Sequence, residues 1–100
     1  MLNKSLILIT GCAGFIGFHL AKKLLEKNQI IHGYDNLNNY YDVKLKKDRL
    51  RILKKYSNFK FKQVDISNYH KIYQDFKKNN YKFVINLAAQ AGVRYSVENP

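Results

Sequence analysis

Residues 6–17, LILITGCAGFIG, join a short apolar run to three glycines, Gly11, Gly14 and Gly17, which open an amphipathic stretch over residues 15–27. A strand that turns through glycines into a helix gathers backbone N–H groups and the positive end of the helix dipole at one point, which suits a pyrophosphate. The first glycine allows the tight turn, the second lets phosphates approach the backbone, and the third lets the helix pack closely on the strand. Residues 6–17 therefore predict a nucleotide-binding turn between a strand and a helix.

A second apolar run, over residues 30–34, is followed directly by Asp35, which lies 18 residues after Gly17. A carboxylate at this place accepts hydrogen bonds from the ribose hydroxyls of an adenosine. The glycine pattern alone is weak evidence, but strand, glycines, helix, strand and acid in this order strongly favour a dinucleotide site. The spacing is G-x-x-G-x-x-G rather than G-x-G-x-x-G, which gives a first indication of the nucleotide-binding family.

The rest of the chain continues the alternation of strands and helices. Apolar runs predict strands over residues 6–10, 30–35, 59–64 and 83–87, and helical periodicity predicts helices over residues 15–27, over 43–56 and after Ser67. This alternation predicts an α/β fold, a Rossmann-type doubly wound parallel sheet with strand order 3-2-1-4, of which the chain supplies the first four strands and their helices. The carboxyl ends of the first and fourth strands would then meet, which is where such sheets bind ligands.

Finer features of these elements are also predicted. Asn28 is a candidate C-terminal cap of the first helix and Ser67 a candidate N-cap of the third. The Phe-Lys alternation that begins at Phe59 places the third strand toward a sheet edge, and the fourth strand is predicted to be buried. The side chains expected to face the core are Leu45, Leu50 and Leu53 on the second helix and Tyr69, Ile72, Tyr73 and Phe76 on the third.

Length and composition limit the possible classes of protein. One hundred residues suffice for one small domain, so we expect the N-terminal part of a cofactor domain, with the remainder of that domain and a substrate domain lying outside this chain. There is no apolar run of membrane-spanning length and no signal peptide, so no membrane partner is expected. The single cysteine, Cys12, excludes an internal disulfide and favours the cytoplasm.

The net charge of +11 raises the alternative of a nucleic-acid partner. Seven of the twelve residues from 44 to 55 are Lys or Arg. A solvated helix face is favoured over an RNA- or DNA-binding stripe, because a run of charge alone says little about binding. A basic, non-enzymatic nucleotide- or RNA-binding module stays open as an alternative, although the expectation is no nucleic acid.

Four stretches resemble the extended short-chain dehydrogenase/reductase family of NAD-dependent epimerases and dehydratases. They are residues 10–17 (TGCAGFIG), 35–42 (DNLNNYYD), 64–66 (VDI) and 87–96 (LAAQAGVRYS). The last stretch is most similar to the UDP-glucuronate 4-epimerases within that family. The glycine turn and the acid are common to the whole superfamily, so the run over residues 87–96 is the more specific signal.

The resemblance implies a cofactor, NAD, and a set of residues that hold it. Implied for the pyrophosphate are Gly11, Gly14, Phe15, Ile16 and Gly17; for the adenosine ribose Asp35, Asn36 and Asn39; for adenine Asp65 and Ile66; and for the route toward the nicotinamide Leu87, Ala88, Ala89 and Gln90. Arg94 follows the fourth strand and is a candidate for a substrate anion, either a diphosphate or a glucuronate carboxylate, with a surface salt bridge equally open.

The resemblance also implies an activity, the interconversion of UDP-glucuronate and UDP-galacturonate through a transient 4-keto sugar, for the synthesis of cell-surface polysaccharide by a homodimeric enzyme. The family's catalytic Tyr-x-x-x-Lys is expected beyond Pro100. The local matches at residues 40–44, 56–60 and 73–77 are rejected, because none is placed on a helix beside the end of the fourth strand. A related dehydratase, decarboxylase or reductase stays open as the reaction.

The remaining reactive side chains do not form a second site. His19, His32 and His70 lack the spacing of metal ligands or of a nucleophilic centre, so no metal is expected. Cys12 lies in the glycine turn near a helix N-terminus, where a thiol pKa can fall. It is interpreted instead as a small loop residue.

Overall fold

The computed structural model describes residues 4–37 and 43–88. Strands and helices alternate along the chain in the order β1 (Leu6–Thr10), α1 (Phe15–Glu26), β2 (Ile30–Asp35), α2 (Val43–Leu53), β3 (Phe59–Gln63), α3 (Tyr69–Lys78) and β4 (Phe83–Asn86). Each predicted element is present, and the predicted α/β fold is confirmed. The largest difference in length is in α2, which ends at Leu53 rather than at residue 56.

The four strands form one parallel sheet in the order β3-β2-β1-β4, as the alternation predicts, with β3 at an edge. Thr10 at the end of β1 lies opposite Tyr34 of β2 and Asn86 of β4. Asp35 lies opposite Gln63 of β3. All four carboxyl ends therefore lie along the same edge of the sheet, and the loops that follow them meet there.

The sheet separates two groups of buried side chains. Ile7 and Ile9 of β1 face α1 and α2, whereas Leu8 between them faces the side of α3, as the two-residue period of a strand requires. The first group also contains Phe18, Ala21, Leu25, Ile31, Leu50 and Leu53. The second contains Tyr34 and Val64, with Ile72 and Tyr81 packed against them.

The helix ends agree with prediction in one case of two. Asn28 is the residue after Lys27 at the end of α1, and its φ of 65° is the left-handed conformation that commonly ends a helix. Its N–H donates to the carbonyl of Leu25 at 3.0 Å, so its predicted role in ending α1 is confirmed. The N-cap of α3 is Asn68, whose side chain accepts from the N–H of Lys71 at 3.2 Å, and not Ser67. Ser67 instead donates to the Asp65 carboxylate in the preceding turn.

The predicted inner face of α3 is confirmed for Ile72, which packs against the second group, and is wrong for Tyr69, Tyr73 and Phe76. Tyr69 and Tyr73 are 79% and 64% exposed, whereas Asp75 is buried. Asp75 accepts hydrogen bonds from four side chains, those of Tyr34, Lys62, Asn79 and Tyr81. This buried polar network, rather than the aromatic stripe, determines which side of the helix faces the sheet.

Two further predictions of burial are wrong in the described part of the chain. Leu45 is exposed and Lys46 is buried instead, because Lys46, Leu50 and Leu53 stand at the i, i+4 and i+7 spacing of one helix face. In β4, Phe83 and Val84 are each at least half exposed, although one edge of β4 pairs with β1. An apolar run therefore identified the strand correctly and its burial incorrectly.

Candidate functional site

The turn after β1 begins at Gly11, whose backbone has φ +74°. The N–H groups of Gly11 and Cys12 both donate to the carbonyl of Tyr34, at 2.7 and 3.1 Å, so the turn is fixed against the end of β2. A Cβ at position 11 would lie 2.8 Å from the backbone nitrogen of Ala88, just after β4. Glycine is required here both for the left-handed conformation and for the close approach of the two strand ends.

The other two glycines differ in how tightly they are held. A Cβ on Gly17 would overlap the Gly11 carbonyl oxygen and would lie 3.1 Å from the α-carbon of Cys12, so helix and turn are in direct backbone contact. Gly14 is extended, with φ −72° and ψ 171°, and a Cβ there would meet only the Gly11 oxygen, at 3.3 Å. Gly14 is thus needed for the space in front of it rather than for its own conformation.

The N-terminus of α1 is well suited to an anion. The first hydrogen bond of the helix runs from the N–H of Phe18 to the carbonyl of Gly14, which leaves the N–H groups of Phe15, Ile16 and Gly17 without a carbonyl in the preceding turn. No acidic side chain lies in the first turn, and none of the side chains that the structure describes caps it. Phe15 and Ile16 are two-thirds exposed, so solvent reaches this end of the helix. These features fit a bound pyrophosphate.

Asp35 is held in one orientation beside the turn. Its Oδ2 accepts from the backbone N–H of Ala13 at 3.1 Å, and its Oδ1 accepts from the N–H of Leu37 at 2.8 Å. The ammonium of Lys46 donates to Oδ1 at 3.1 Å, and the Asp35 side chain is only 3% exposed. The predicted ribose acceptor is therefore next to the glycine turn, as the motif requires.

Two basic residues of α2 contribute to this region, and the sequence analysis did not identify them. Lys46 reaches Asp35, and Arg49 donates through Nη1 to the carbonyl oxygen of Ala13 at 3.1 Å. The guanidinium of Arg49 also lies 5.8 Å from the centre of the Phe15 ring. The i, i+4, i+7 spacing of Lys46 with two buried leucines was the signal that could have placed it on the inner face.

The loop after β4 is held by Thr10, another residue that the sequence analysis did not single out. The Thr10 hydroxyl donates to the side-chain oxygen of Asn86 and accepts from the N–H groups of Leu87 and Ala88, at 3.0 and 3.2 Å. The main chain that follows β4 is thereby held against the end of β1. The carboxyl ends of β1 and β4, where the ligand is predicted to bind, are thus in direct contact.

The other predicted cofactor residues are less completely described. Asp65 is exposed and accepts from the N–H and hydroxyl of Ser67, while Ile66 is half-buried in the same turn. Asn36, also half-buried, accepts at its carbonyl from the Gln63 side chain at 3.3 Å. Asn39, Ala89, Gln90 and the substrate candidate Arg94 lie outside the described residues, as does Tyr40 of the pattern at residues 40–44.

The two rejected tyrosines that the structure describes both lie away from the glycine turn. Tyr56 precedes β3 and so lies at the amino end of that strand, where its hydroxyl donates to Glu26 at 3.2 Å. Tyr73 lies in the middle of α3, with the ammonium of Lys77 5.4 Å from the centre of its ring. The Tyr56 hydroxyl is thus bound to the end of α1, and the Tyr73 side chain is mostly exposed on α3.

Cys12 is completely buried in the turn. Burial raises the pKa of its thiol strongly, and the neighbouring charge of Asp35 raises it further. A thiol held in its neutral form is a poor nucleophile. The geometry is that of a small packing residue.

The described residues hold neither a cluster of metal ligands nor a membrane-spanning helix. No group of three or more His, Cys, Asp and Glu side chains is placed to hold a metal ion within residues 4–37 and 43–88. None of the helices in that part of the chain is long and apolar enough to cross a membrane.

Comparison with known proteins assigns this geometry to a family. A family model described as GDP-mannose 4,6 dehydratase matches residues 8–100. The chain belongs to this family, whose members are NAD-dependent nucleotide-sugar epimerases and dehydratases. The predicted family resemblance is therefore confirmed.

Individual relatives match almost the whole of this chain. Protein CapI of Staphylococcus aureus is 53% identical over 94 residues, which cover 94% of this chain and 28% of CapI. A UDP-glucuronate 4-epimerase of Thermodesulfobacterium geofontis is 50% identical over 93 residues, which cover 93% of this chain and 29% of that enzyme. The chain thus spans less than a third of the length of these relatives.

A solved structure gives the same picture in three dimensions. The UDP-glucuronic acid 4-epimerase of Bacillus cereus, in complex with UDP-glucuronic acid and NAD, matches with a TM-score of 0.71 and 37% identity, over 91% of this chain and 28% of that one. The cofactor in that structure, NAD, is the one that the family resemblance implies.

Proposed function

We propose that this chain is the N-terminal part of the cofactor domain of an NAD-dependent nucleotide-sugar 4-epimerase that interconverts UDP-glucuronate and UDP-galacturonate. The observation that carries the proposal is the direct bond between the glycine turn and Asp35, through the N–H of Ala13. It brings a pyrophosphate site and a ribose acceptor together at the carboxyl edge of the sheet. The identity to UDP-glucuronate 4-epimerases supports the choice of sugar.

In this proposal the loop after each of the four strands binds a different part of the cofactor. The turn over residues 11–17 binds the pyrophosphate through the N–H groups at the start of α1. Asp35 and Asn36 bind the adenosine ribose with Asn39, and Asp65 and Ile66 contact adenine. Residues 87–90, beginning at the base fixed by Thr10, lie toward the nicotinamide, and Arg94 is the candidate contact for the substrate anion.

The chemistry follows from how such a site orients its two ligands. NAD, held by the glycine turn and Asp35, would supply reversible hydride chemistry at C4 of the sugar and would be unchanged overall. In the proposal, the residues of this chain bind the dinucleotide and orient it at the carboxyl edge of the sheet. The acid–base pair that takes the proton from the 4-hydroxyl is the Tyr-x-x-x-Lys expected beyond Pro100. A homodimeric assembly and a cytoplasmic location stay predictions.

A 4,6-dehydratase is the second candidate, because the matching family model carries that description. Such an enzyme shares the cofactor half of the site, and the substrate residues that separate the two reactions are expected beyond Pro100. A basic nucleic-acid-binding module is disfavoured, because two cations of the basic run, Lys46 and Arg49, are engaged with Asp35 and the glycine turn.

The proposal is tested by incubating the full-length protein with UDP-glucuronate and resolving the two 4-epimers by NMR. We expect an equilibrium mixture that contains UDP-galacturonate, and the same mixture when the reaction starts from UDP-galacturonate. UDP-glucose and GDP-mannose are tested in parallel. Formation of a 4-keto-6-deoxy sugar from either one, without epimerisation of UDP-glucuronate, would overturn the epimerase in favour of the dehydratase.

A further inference from the structure

The ion pair between Lys46 and Asp35 differs from the other lysine pair on α2. The Lys46 ammonium lies 3.1 Å from Oδ1 of Asp35, with side chains 11% and 3% exposed. Lys44 and Asp48, on the solvent side of the same helix, are paired at 3.3 Å with side chains 83% and 37% exposed. Exposed pairs of the second kind contribute little. A pair buried like the first must be held by good geometry, because two desolvated charges are costly.

The pair belongs to a closed set of contacts between α2 and the glycine turn. Asp35 accepts from the N–H of Ala13, and Arg49, one turn after Lys46, donates to the carbonyl of the same residue. The Ala13 main chain is therefore held from both sides, by β2 and by α2. A change in the position of Lys46 would reach the turn through these bonds.

The Asp35 carboxylate keeps part of its capacity to accept hydrogen bonds when Lys46 is bound to it. An ionised carboxylate accepts about four hydrogen bonds, two on each oxygen. Oδ1 already accepts from Leu37 and Lys46, and Oδ2 accepts from Ala13. The remaining capacity is on Oδ2, on the side of the glycine turn. Lys46 and the N–H of Leu37 together occupy Oδ1, which leaves Oδ2 as the oxygen that can accept from a further donor.

We propose that Lys46 is a positioning residue of the cofactor site, which holds Asp35 so that Oδ2 accepts a hydroxyl of the adenosine ribose. This inference rests on the proposed function only in that the ligand is NAD. Lys46 does not touch the reacting atoms, so it acts on the affinity and selectivity for the cofactor rather than on the chemical step.

The test compares NAD with an analogue that lacks both hydroxyls of the adenosine ribose, in the full-length protein freed of bound nucleotide. Dissociation constants are measured calorimetrically for the unsubstituted protein, for Lys46→Met and for the matched control Lys47→Met, which removes the neighbouring exposed lysine. We expect Lys46→Met to weaken NAD by about tenfold or more while weakening the analogue much less. Lys47→Met should leave both affinities unchanged.

A purely structural role predicts a different pattern. If Lys46→Met weakens NAD and the analogue by the same factor, or leaves NAD affinity unchanged, the proposal is overturned. Lys46→Gln, which is shorter and uncharged, is measured alongside in case the methionine variant does not fold, and the same selective loss is expected. Failure of the unsubstituted protein to bind NAD would instead overturn the proposed function.

Discussion

The backbone N–H of Ala13 donates to Oδ2 of Asp35 at 3.1 Å, across 22 residues of sequence. This bond connects the glycine turn after β1 to the acid at the end of β2. The two parts of the nucleotide site are consequently held at a fixed separation by the protein itself. Under the proposed function, a dinucleotide would find these two parts of the site already in place, which would lower the ordering cost of binding.

The first prediction concerns Asp35 itself. Asp35→Ala should weaken NAD binding by about 1–3 kcal/mol, because it removes a charged acceptor of the ribose. It also leaves Lys46 buried without this carboxylate, so the thermal midpoint should fall as well. Asp48→Ala, which removes an acid on the exposed side of α2, is the matched control. Titration with NAD and a thermal melt measure both effects, and unchanged NAD affinity in Asp35→Ala would contradict the ribose assignment.

A second prediction follows from the different surroundings of two glycines. Gly17→Ala should destabilise the fold and abolish NAD binding, because the added carbon would lie 2.9 Å from the carbonyl carbon of Gly11. Gly14→Ala should perturb the fold far less than Gly17→Ala, since the added carbon would meet only the Gly11 carbonyl oxygen, at 3.3 Å. Gly14→Val should keep the fold but lose NAD, because the larger side chain fills the space that a phosphate needs. Circular dichroism and NAD titration separate the outcomes; tight NAD binding by Gly14→Val would show that the pyrophosphate lies elsewhere.

Cofactor choice gives a third prediction. The protein should bind NAD more tightly than NADP, because Asp35 lies where the 2′-phosphate would come and Asn36 replaces the arginine that often pairs with one. Dissociation constants for both nucleotides are compared in the same buffer at fixed ionic strength, since phosphate binding is sensitive to salt. Equal affinities would remove the support for a ribose-binding carboxylate.

A fourth prediction concerns the buried carboxylate of α3. Asp75→Asn should lower the free energy of unfolding by about 3 kcal/mol, because it leaves Lys62 without its charged partner on the face of the sheet. Asp48→Asn, on an exposed helix surface, should change it by less than about 0.5 kcal/mol. Denaturant unfolding of both variants gives the comparison. Similar small losses in the two would mean that the network under α3 contributes little.

The fifth prediction is a dependence on pH. The pKa of His32 is lowered by burial and by the nearby charges of Lys62 and Lys60. The unfolded chain therefore binds the proton more readily than the folded one, so stability should decrease as pH falls below the ordinary value of 6.5. Unfolding free energies between about pH 7.5 and 5.5 should slope less steeply in His32→Gln than in the control His70→Gln. Equal slopes in the two variants would exclude His32 as a source of the dependence.

The sequence predicted the sheet and the glycine turn because both depend on local patterns. Apolar runs marked the four strands, and the order of glycines, helix and acid indicated where Asp35 would lie. The failures concern which side chains face inward. Lys46 was expected in solvent as one lysine among many, and Tyr69 and Tyr73 were expected in the core because they form an apolar stripe. Lys46 is buried because it reaches Asp35 on β2, and α3 turns Asp75 rather than its tyrosines toward partners from β2, from β3 and from Tyr81. These partners lie far along the chain, and periodicity along one helix does not contain that information.

The packing of Cys12 against Gly33 has a consequence for how the site can evolve. A Cβ on Gly33 would lie 2.6 Å from the Cys12 sulfur, so the middle of β2 and the glycine turn share one small volume. A mutation that enlarges either residue must be offset by a reduction at the other, or the turn is displaced from the place where it meets the phosphates. Positions 12 and 33 are thus expected to co-vary as a pair among homologous sequences, even though neither residue needs to touch the cofactor.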